Sequence, residues 1–156
     1  MIRSIRAALL ALALVTGTVV APVAARAGEP TAAQHLKAIP LTIHTAHGAQ
    51  KYMVEVATTP SQQEIGLMFR HSMPAKHGMI FPMDPPRMAT FWMKNTFISL
   101  DLLFLRPDGT ISSIAARVPP RSLDIVPSTE PVGAVLELNA GTAARDGLKP
   151  GDKVSW

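Results

Sequence analysis

Beyond residue 40 the chain never stays apolar for long before Gly, Pro, Asn or Asp interrupts it. Turn signals recur at intervals of roughly 8–12 residues, and the stretches between them alternate or run briefly apolar, which is the pattern of short strands. In LTIHT, Leu41, Ile43 and Thr45 share one face; AHGAQ turns the chain at Gly48; in KYMVEVA, Tyr52, Val54 and Val56 face one way and Lys51, Met53 and Glu55 the other. Period two on both sides of a turn predicts a hairpin. TTPSQQEIGLMF predicts a short helix: Thr59 can cap it, Pro60 suits its first turn, Ser61 and Glu64 have capping-box spacing, and Gly66 limits it. MIF and TFWMKN read as strands between proline-spaced loops, and SLDLLFL as a buried strand ending in the RPDG turn. TISSIAARV and VGAVLELN read as further strands, GTAARDGL as a helical turn ended by Gly147, and KPGDKVSW as a turn and last strand. No long amphipathic helices alternate with these strands, so a parallel α/β sheet is not expected. The fold class is mainly β, a compact antiparallel sandwich or barrel with one or two short helices.

The N-terminus follows different rules. MIRSIR is basic, AALLALALVTGTVV is an apolar run too short for a comfortable bilayer span, and Ala25 and Ala27 give a small-x-small cleavage pattern. Residues 1–27 therefore read as a signal peptide, 28–40 as a flexible arm and 41–156 as a single β domain. The expected location is periplasmic or secreted, with no membrane span after processing. Without Arg3, Arg6 and Arg26, 129 residues remain, carrying 12 Lys or Arg and 11 Asp or Glu. So balanced a charge lacks the footprint of a nucleic-acid binder. There is no cysteine, which excludes thiol nucleophiles, thiolate metal sites and disulfide staples.

GLMFR (66–70), GMIF (78–81), FWMKNT (91–96), LDLLFL (100–105), VLELNAG (135–141) and GLKPGD (147–152) resemble, in order and spacing, the signature blocks of the domain of unknown function 192 family. The resemblance spans about residues 41–156. It implies a compact, mostly β domain of sandwich or jelly-roll character, often exported, and it implies no activity.

Six of the eight methionines fall between positions 68 and 93. Met68, Met79 and Met93 stand beside phenylalanines and read as core fillers, since thioethers pack well on ring edges. Met73, Met83 and Met88 stand next to or shortly after prolines, in predicted surface loops with His71 and His77. Thioether and imidazole together favour Cu(I), so an alternative reading is a copper carrier using His71, Met73, His77, Met83 and Met88.

The leading site is centred on FWMKNT. A strand there would send Trp92, Lys94 and Thr96 one way and Phe91, Met93 and Asn95 the other. Trp92 offers a flat apolar face, Lys94 a charge and Asn95 a donor and acceptor. With Arg70 and Asp101 they form a candidate site for a small polar ligand or an envelope partner on a monomeric protein. Asp101, on an apolar strand, needs a partner, with Lys94 and Arg70 the nearest by motif. No G-x-S-x-G or H-E-x-x-H motif occurs. A hydrolase or lyase would have to rest on Asp101 and Glu137 being close in space. The favoured expectation is a binding module without catalytic residues and without a cofactor.

Overall fold

The computed structural model describes residues 30–156; the expected signal peptide lies outside the described residues. The described residues form nine strands and two short helices: β1 (Ala38–Thr45), β2 (Gly48–Val56), α1 (Pro60–Ile65), β3 (His77–Arg87), β4 (Thr90–Phe91), β5 (Leu100–Leu105), β6 (Ile111–Val118), β7 (Val126–Pro127), β8 (Val132–Asn139), α2 (Thr142–Asp146) and β9 (Lys153–Ser155). The mainly β class is as expected from the sequence. Seven strands form one sheet in the order β6-β5-β8-β3-β2-β1-β9, and β4 and β7 form a separate ribbon. The sheet is mixed, because β2 and β3 run parallel. Parallel neighbours need a crossover, and the segment holding α1 supplies it.

The sheet curls until its edge strands meet at one end. The Ile111 amide donates to the Asp152 carbonyl and the Val154 amide to the Gly109 carbonyl, both at 2.9 Å. Beyond these bonds the edges part, so the barrel is not closed. Alternation then divides the core in two. Leu41, Ile43, Val54, Ile80, Leu103, Leu136, Leu138 and Val154 form one cluster, drawn from strands across the whole sheet. Met79, Phe81, Met83, Leu102, Phe104 and Val135 form the other, on the opposite face. Leu67, Met73, Ala89 and Met93 cover that second cluster from the crossover and the ribbon. β5 is buried at every position, which is why LDLLFL does not alternate in sequence. Among the described residues no helix is long and apolar enough to cross a membrane.

Three local expectations need correcting. The capping box is Thr59 with Gln62, not Ser61 with Glu64: the Thr59 hydroxyl accepts from the Gln62 amide, and the Gln62 side chain accepts from the Thr59 amide. TFWMKN is a strand only at Thr90–Phe91; Asn95 has a left-handed backbone (φ 56°), so Trp92, Lys94 and Thr96 do not share one strand face. PMDPPRMA is not simply a loop, since β3 runs on to Arg87 and carries Met83 into the second core cluster. Residues 30–37 have no regular structure, and Gln34 and Leu36 are hydrogen-bonded to the body of the protein.

Candidate binding cleft

The crossover and the ribbon meet over the second core cluster. The Phe69 amide donates to the Asn95 carbonyl at 2.8 Å, and both residues have positive φ, 64° and 56°. Asn takes this conformation readily, whereas Phe does so under strain. Next to Met93, the Ser122 carbonyl accepts from the Met93 amide at 2.9 Å. These bonds tie GLMFR, FWMKNT and the 119–125 connection into one wall.

Between that wall and the sheet lies a cleft of ≈ 330 Å³, lined among others by Met68, Phe81, Phe91, Trp92, Thr96 and Glu137. The Phe81 and Phe91 rings meet edge to face, centroids 5.1 Å apart. Trp92 stands at the mouth, 44% exposed, with the Lys94 ammonium 5.3 Å from its ring centroid. Glu137 is only 4% exposed. It lies on β8 opposite Met79 on β3 and Leu102 on β5, both members of the second cluster. Burial pushes its carboxyl up to about 8, against the opposing pull of the Arg70 guanidinium. No hydrogen bond from the described residues reaches that carboxyl, so burial outweighs the Arg70 charge and favours its protonated form near pH 7.

Arg70 is itself buried and already engaged. Its two terminal nitrogens bind the Glu55 carboxylate at 2.7 and 2.8 Å, and one also donates to the Gln34 carbonyl at 2.6 Å. Burial alone would raise the Glu55 carboxyl, but the hydrogen bonds from Arg70 and from the Leu36 amide outweigh it and hold that carboxyl below the usual range. The Arg70 Nε has no hydrogen-bond partner.

The five residues singled out in the sequence do not converge. Trp92, Lys94 and Asn95 share a depression beside the cleft of ≈ 20 Å³, room for about one water. Arg70 lines a different cleft. Asp101 points to the opposite face of the sheet: it sits opposite Leu138, a member of the first core cluster. Neither Lys94 nor Arg70 is its partner. Its oxygens accept from the backbone amides of Arg117, Gly141 and Ala143 at 2.8, 3.1 and 2.8 Å. Asp101 thus caps α2 from a distance, and α2 has no side-chain cap of its own. Asp101 and Glu137, on opposite faces, cannot act as a catalytic pair, which removes the hydrolase or lyase reading.

The methionine–histidine set also divides. Met73 and Met83 are buried in the second core cluster rather than on surface loops. Met83 and Met88 border the Trp92 cleft, while His71, Met73 and His77 border the other. Among the described residues no group of three or more His, Asp or Glu is placed to hold a metal ion. The residue that sequence reading undervalued is Glu137. Its signal was a lone acid between Leu136 and Leu138, on the same strand face as Asn139; the Asn139 side-chain amide donates to the Met73 carbonyl at 2.9 Å.

Comparison with known proteins bears on the same blocks. A crystal structure from Sinorhizobium meliloti, provisionally assigned as a transcription regulator, is 45% identical with a TM-score of 0.75, covering 77% of this chain and 94% of its own. A protein of unknown function from Novosphingobium aromaticivorans is 44% identical with a TM-score of 0.77, covering 86% and 94%. No curated protein matches. The family model described as uncharacterized ACR, domain of unknown function 192, matches residues 42–156, and the chain belongs to that family.

Proposed function

We propose that this protein is an exported binding module whose Trp92 cleft takes a small neutral ligand with a hydroxyl-bearing ring. The observation that carries the reading is Glu137: a buried carboxyl, raised by that burial, that receives no hydrogen bond from the described residues and lines a cleft together with the Phe81, Phe91 and Trp92 rings. A protonated carboxyl donates one hydrogen bond and accepts another, which matches a hydroxyl group. Trp92 supplies the flat apolar face on which a sugar ring stacks. Clefts of this size are the usual form of small-molecule sites. Direct nucleic-acid binding is not favoured by residues 28–156, whose 12 basic and 11 acidic side chains nearly cancel.

The test is a fluorescence titration of Trp92 in a Trp156→Phe background, since the chain has two tryptophans. Neutral sugars are screened against organic acids and amino acids. At least one neutral sugar should perturb Trp92, and its affinity should fall above pH 8 as Glu137 ionises. If no neutral sugar perturbs Trp92, or if binding is equally tight well above and well below that pH, the reading fails.

A further inference from the structure

The ribbon of β4 and β7 turns an apolar face to solvent. Of the six large hydrophobic side chains exposed among the described residues, four belong to the ribbon and its flanks: Met88, Trp92, Leu123 and Ile125, exposed by 53, 44, 66 and 58%. Hydrogen bonds set three of them side by side. Phe91 pairs with Val126, and the Met93 amide donates to the Ser122 carbonyl at 2.9 Å. Trp92 lies between those two anchors on one chain, and residues 123–125 lie between them on the other. Phe91 and Met93 pack on the second core cluster, so Trp92 between them turns outward. Opposite it, the Ser122 hydroxyl accepts from the Asp124 amide and donates to the Asp124 carboxylate, both at 3.0 Å. That tight turn leaves Leu123 and Ile125 exposed on either side of Asp124.

The exposure is held in place. At the other end of the ribbon the Ser128 amide donates to the Ala89 carbonyl at 2.8 Å and the Ala89 amide to the Ser128 hydroxyl at 2.9 Å. Pro119, Pro120 and Pro127 restrict the connecting chain. Contiguous apolar side chains held outward mark a contact surface, and two features favour a lipid bilayer as what they contact. The first is charge. The ribbon and its flanks, residues 87–94 and 119–129, carry Arg87, Lys94 and Arg121 against one acid, Asp124, so the small basic excess of residues 28–156 lies on this face. Arg87 and Arg121 are exposed. A tryptophan among aliphatic side chains with flanking cations is the composition of surfaces that lie in a bilayer interface, where indole sits at headgroup level and cations meet anionic phosphates. The second is the course of the chain. Pro30 borders the depression shared by Trp92 and Lys94, and the apolar run at 7–20 precedes it in sequence, so the N-terminal segment joins the fold beside this face.

We propose that the ribbon face is a docking surface for an anionic lipid bilayer. Trp92, Leu123 and Ile125 enter the interface, and Arg87 and Arg121 meet the headgroup phosphates. The contact is peripheral, made by side chains of a short ribbon. It sets the mouth of the Trp92 cleft at the membrane surface and does not depend on which ligand that cleft takes.

The experiment follows quenching of Trp92 fluorescence by vesicles of phosphatidylglycerol brominated on its acyl chains, with the full chain in a Trp156→Phe background. A tryptophan is quenched there only if it enters the bilayer. Trp92 should be quenched, and roughly tenfold more lipid should be needed with brominated phosphatidylcholine or at about 0.5 M salt. The double variant Leu123→Ser, Ile125→Ser should need at least tenfold more phosphatidylglycerol while keeping its near-ultraviolet circular dichroism. Met53→Ser, at an exposed apolar side chain outside the ribbon, should behave as wild type. The apolar run at 7–20 is common to every variant, so its own affinity for lipid cancels in these comparisons. No quenching, equal quenching by neutral and anionic vesicles, or full quenching of the double variant would each overturn the proposal. So would a dimer in sedimentation equilibrium that the double variant loses, because the face would then bind a second copy. Shielding of Trp92 from acrylamide in the absence of lipid would overturn it too, because a segment of the chain would already cover the face.

Discussion

Glu137 makes the most demanding quantitative prediction. In the unfolded chain its carboxyl loses its proton near 4.5, and in the folded protein near 8. Between those values the folded state holds a proton that the unfolded state has released, so stability falls as pH rises through the window. The slope is about 1.4 kcal/mol per pH unit for one proton. From pH 4.5 to pH 7 the loss is about 3 kcal/mol, and it reaches about 4 kcal/mol by pH 8 and levels off above that. Neighbouring acids act in the opposite sense: Glu55, held below its usual range by Arg70, contributes stability that is lost as pH falls. The clean measurement is therefore a difference. Urea denaturation of wild type and of Glu137→Gln is followed at half-unit steps from pH 5 to pH 8.5. Gln cannot ionise, so the variant should gain on wild type by about 1.4 kcal/mol per unit until about pH 8. For a domain of this size, 3 kcal/mol corresponds to roughly 10 °C in thermal midpoint, well outside error. A difference that stays flat across the window would mean that Glu137 ionises as an exposed acid does. The cleft would then be open to water at its floor, and the neutral-ligand reading would lose its basis.

Asp101→Ala should be strongly destabilising, by about 3–5 kcal/mol, because three amide donors, one buried and two part-buried, lose their acceptor; Asp108→Ala, at an exposed turn, should barely move the thermal midpoint, and equal small shifts in both would show that the α2 amides find other partners. Gly78→Ala should cost about 1–3 kcal/mol or more in chemical denaturation, since a methyl group there would meet the Glu137 carbonyl and Leu138 on the neighbouring strand; a wild-type midpoint would mean that β3 and β8 can separate cheaply. Arg70→Gln should raise the pH at which Glu137 ionises, because the guanidinium now pulls it down; a carbon-13 NMR titration of the Glu137 carboxyl that shows no upward shift would remove Arg70 from the electrostatics of the cleft.

The strands were legible because period-two runs and turn residues are local signals. Leu41, Ile43, Tyr52 and Val54 fall in one core cluster, as the hairpin alternation required. The methionines at 68, 79 and 93 are buried, as their phenylalanine neighbours suggested. Met73 and Met83 were misread because proline suggests a surface loop, yet β3 continues past Pro82 and the crossover folds Met73 back onto the sheet. The candidate site was harder still. Trp92 was found from its motif, but its partner across the cleft, Glu137, lies 45 positions later on a strand whose placement depends on sheet order. Local pattern carries no information about which strands lie side by side.

The two buried carboxylates show what separates support from function in this fold. Asp101 and Glu137 sit on adjacent central strands, each flanked by apolar residues, and in sequence they look alike. The register pairs Asp101 with Leu138 and Leu102 with Glu137, so a one-residue offset sends the two acids to opposite faces. On one face Asp101 finds three backbone amides, and its charge is fully used in holding α2 and β6. On the other face Glu137 finds the apolar neighbours Met79 and Leu102, the pull of the Arg70 guanidinium and a cleft. A chain under selection for stability alone would gain by replacing Glu137 with a residue of similar volume and no charge, since an unpaired buried acid costs several kcal/mol at neutral pH. Asp101 offers no such gain. The acid whose removal should stabilise the protein is therefore the one whose presence calls for a ligand.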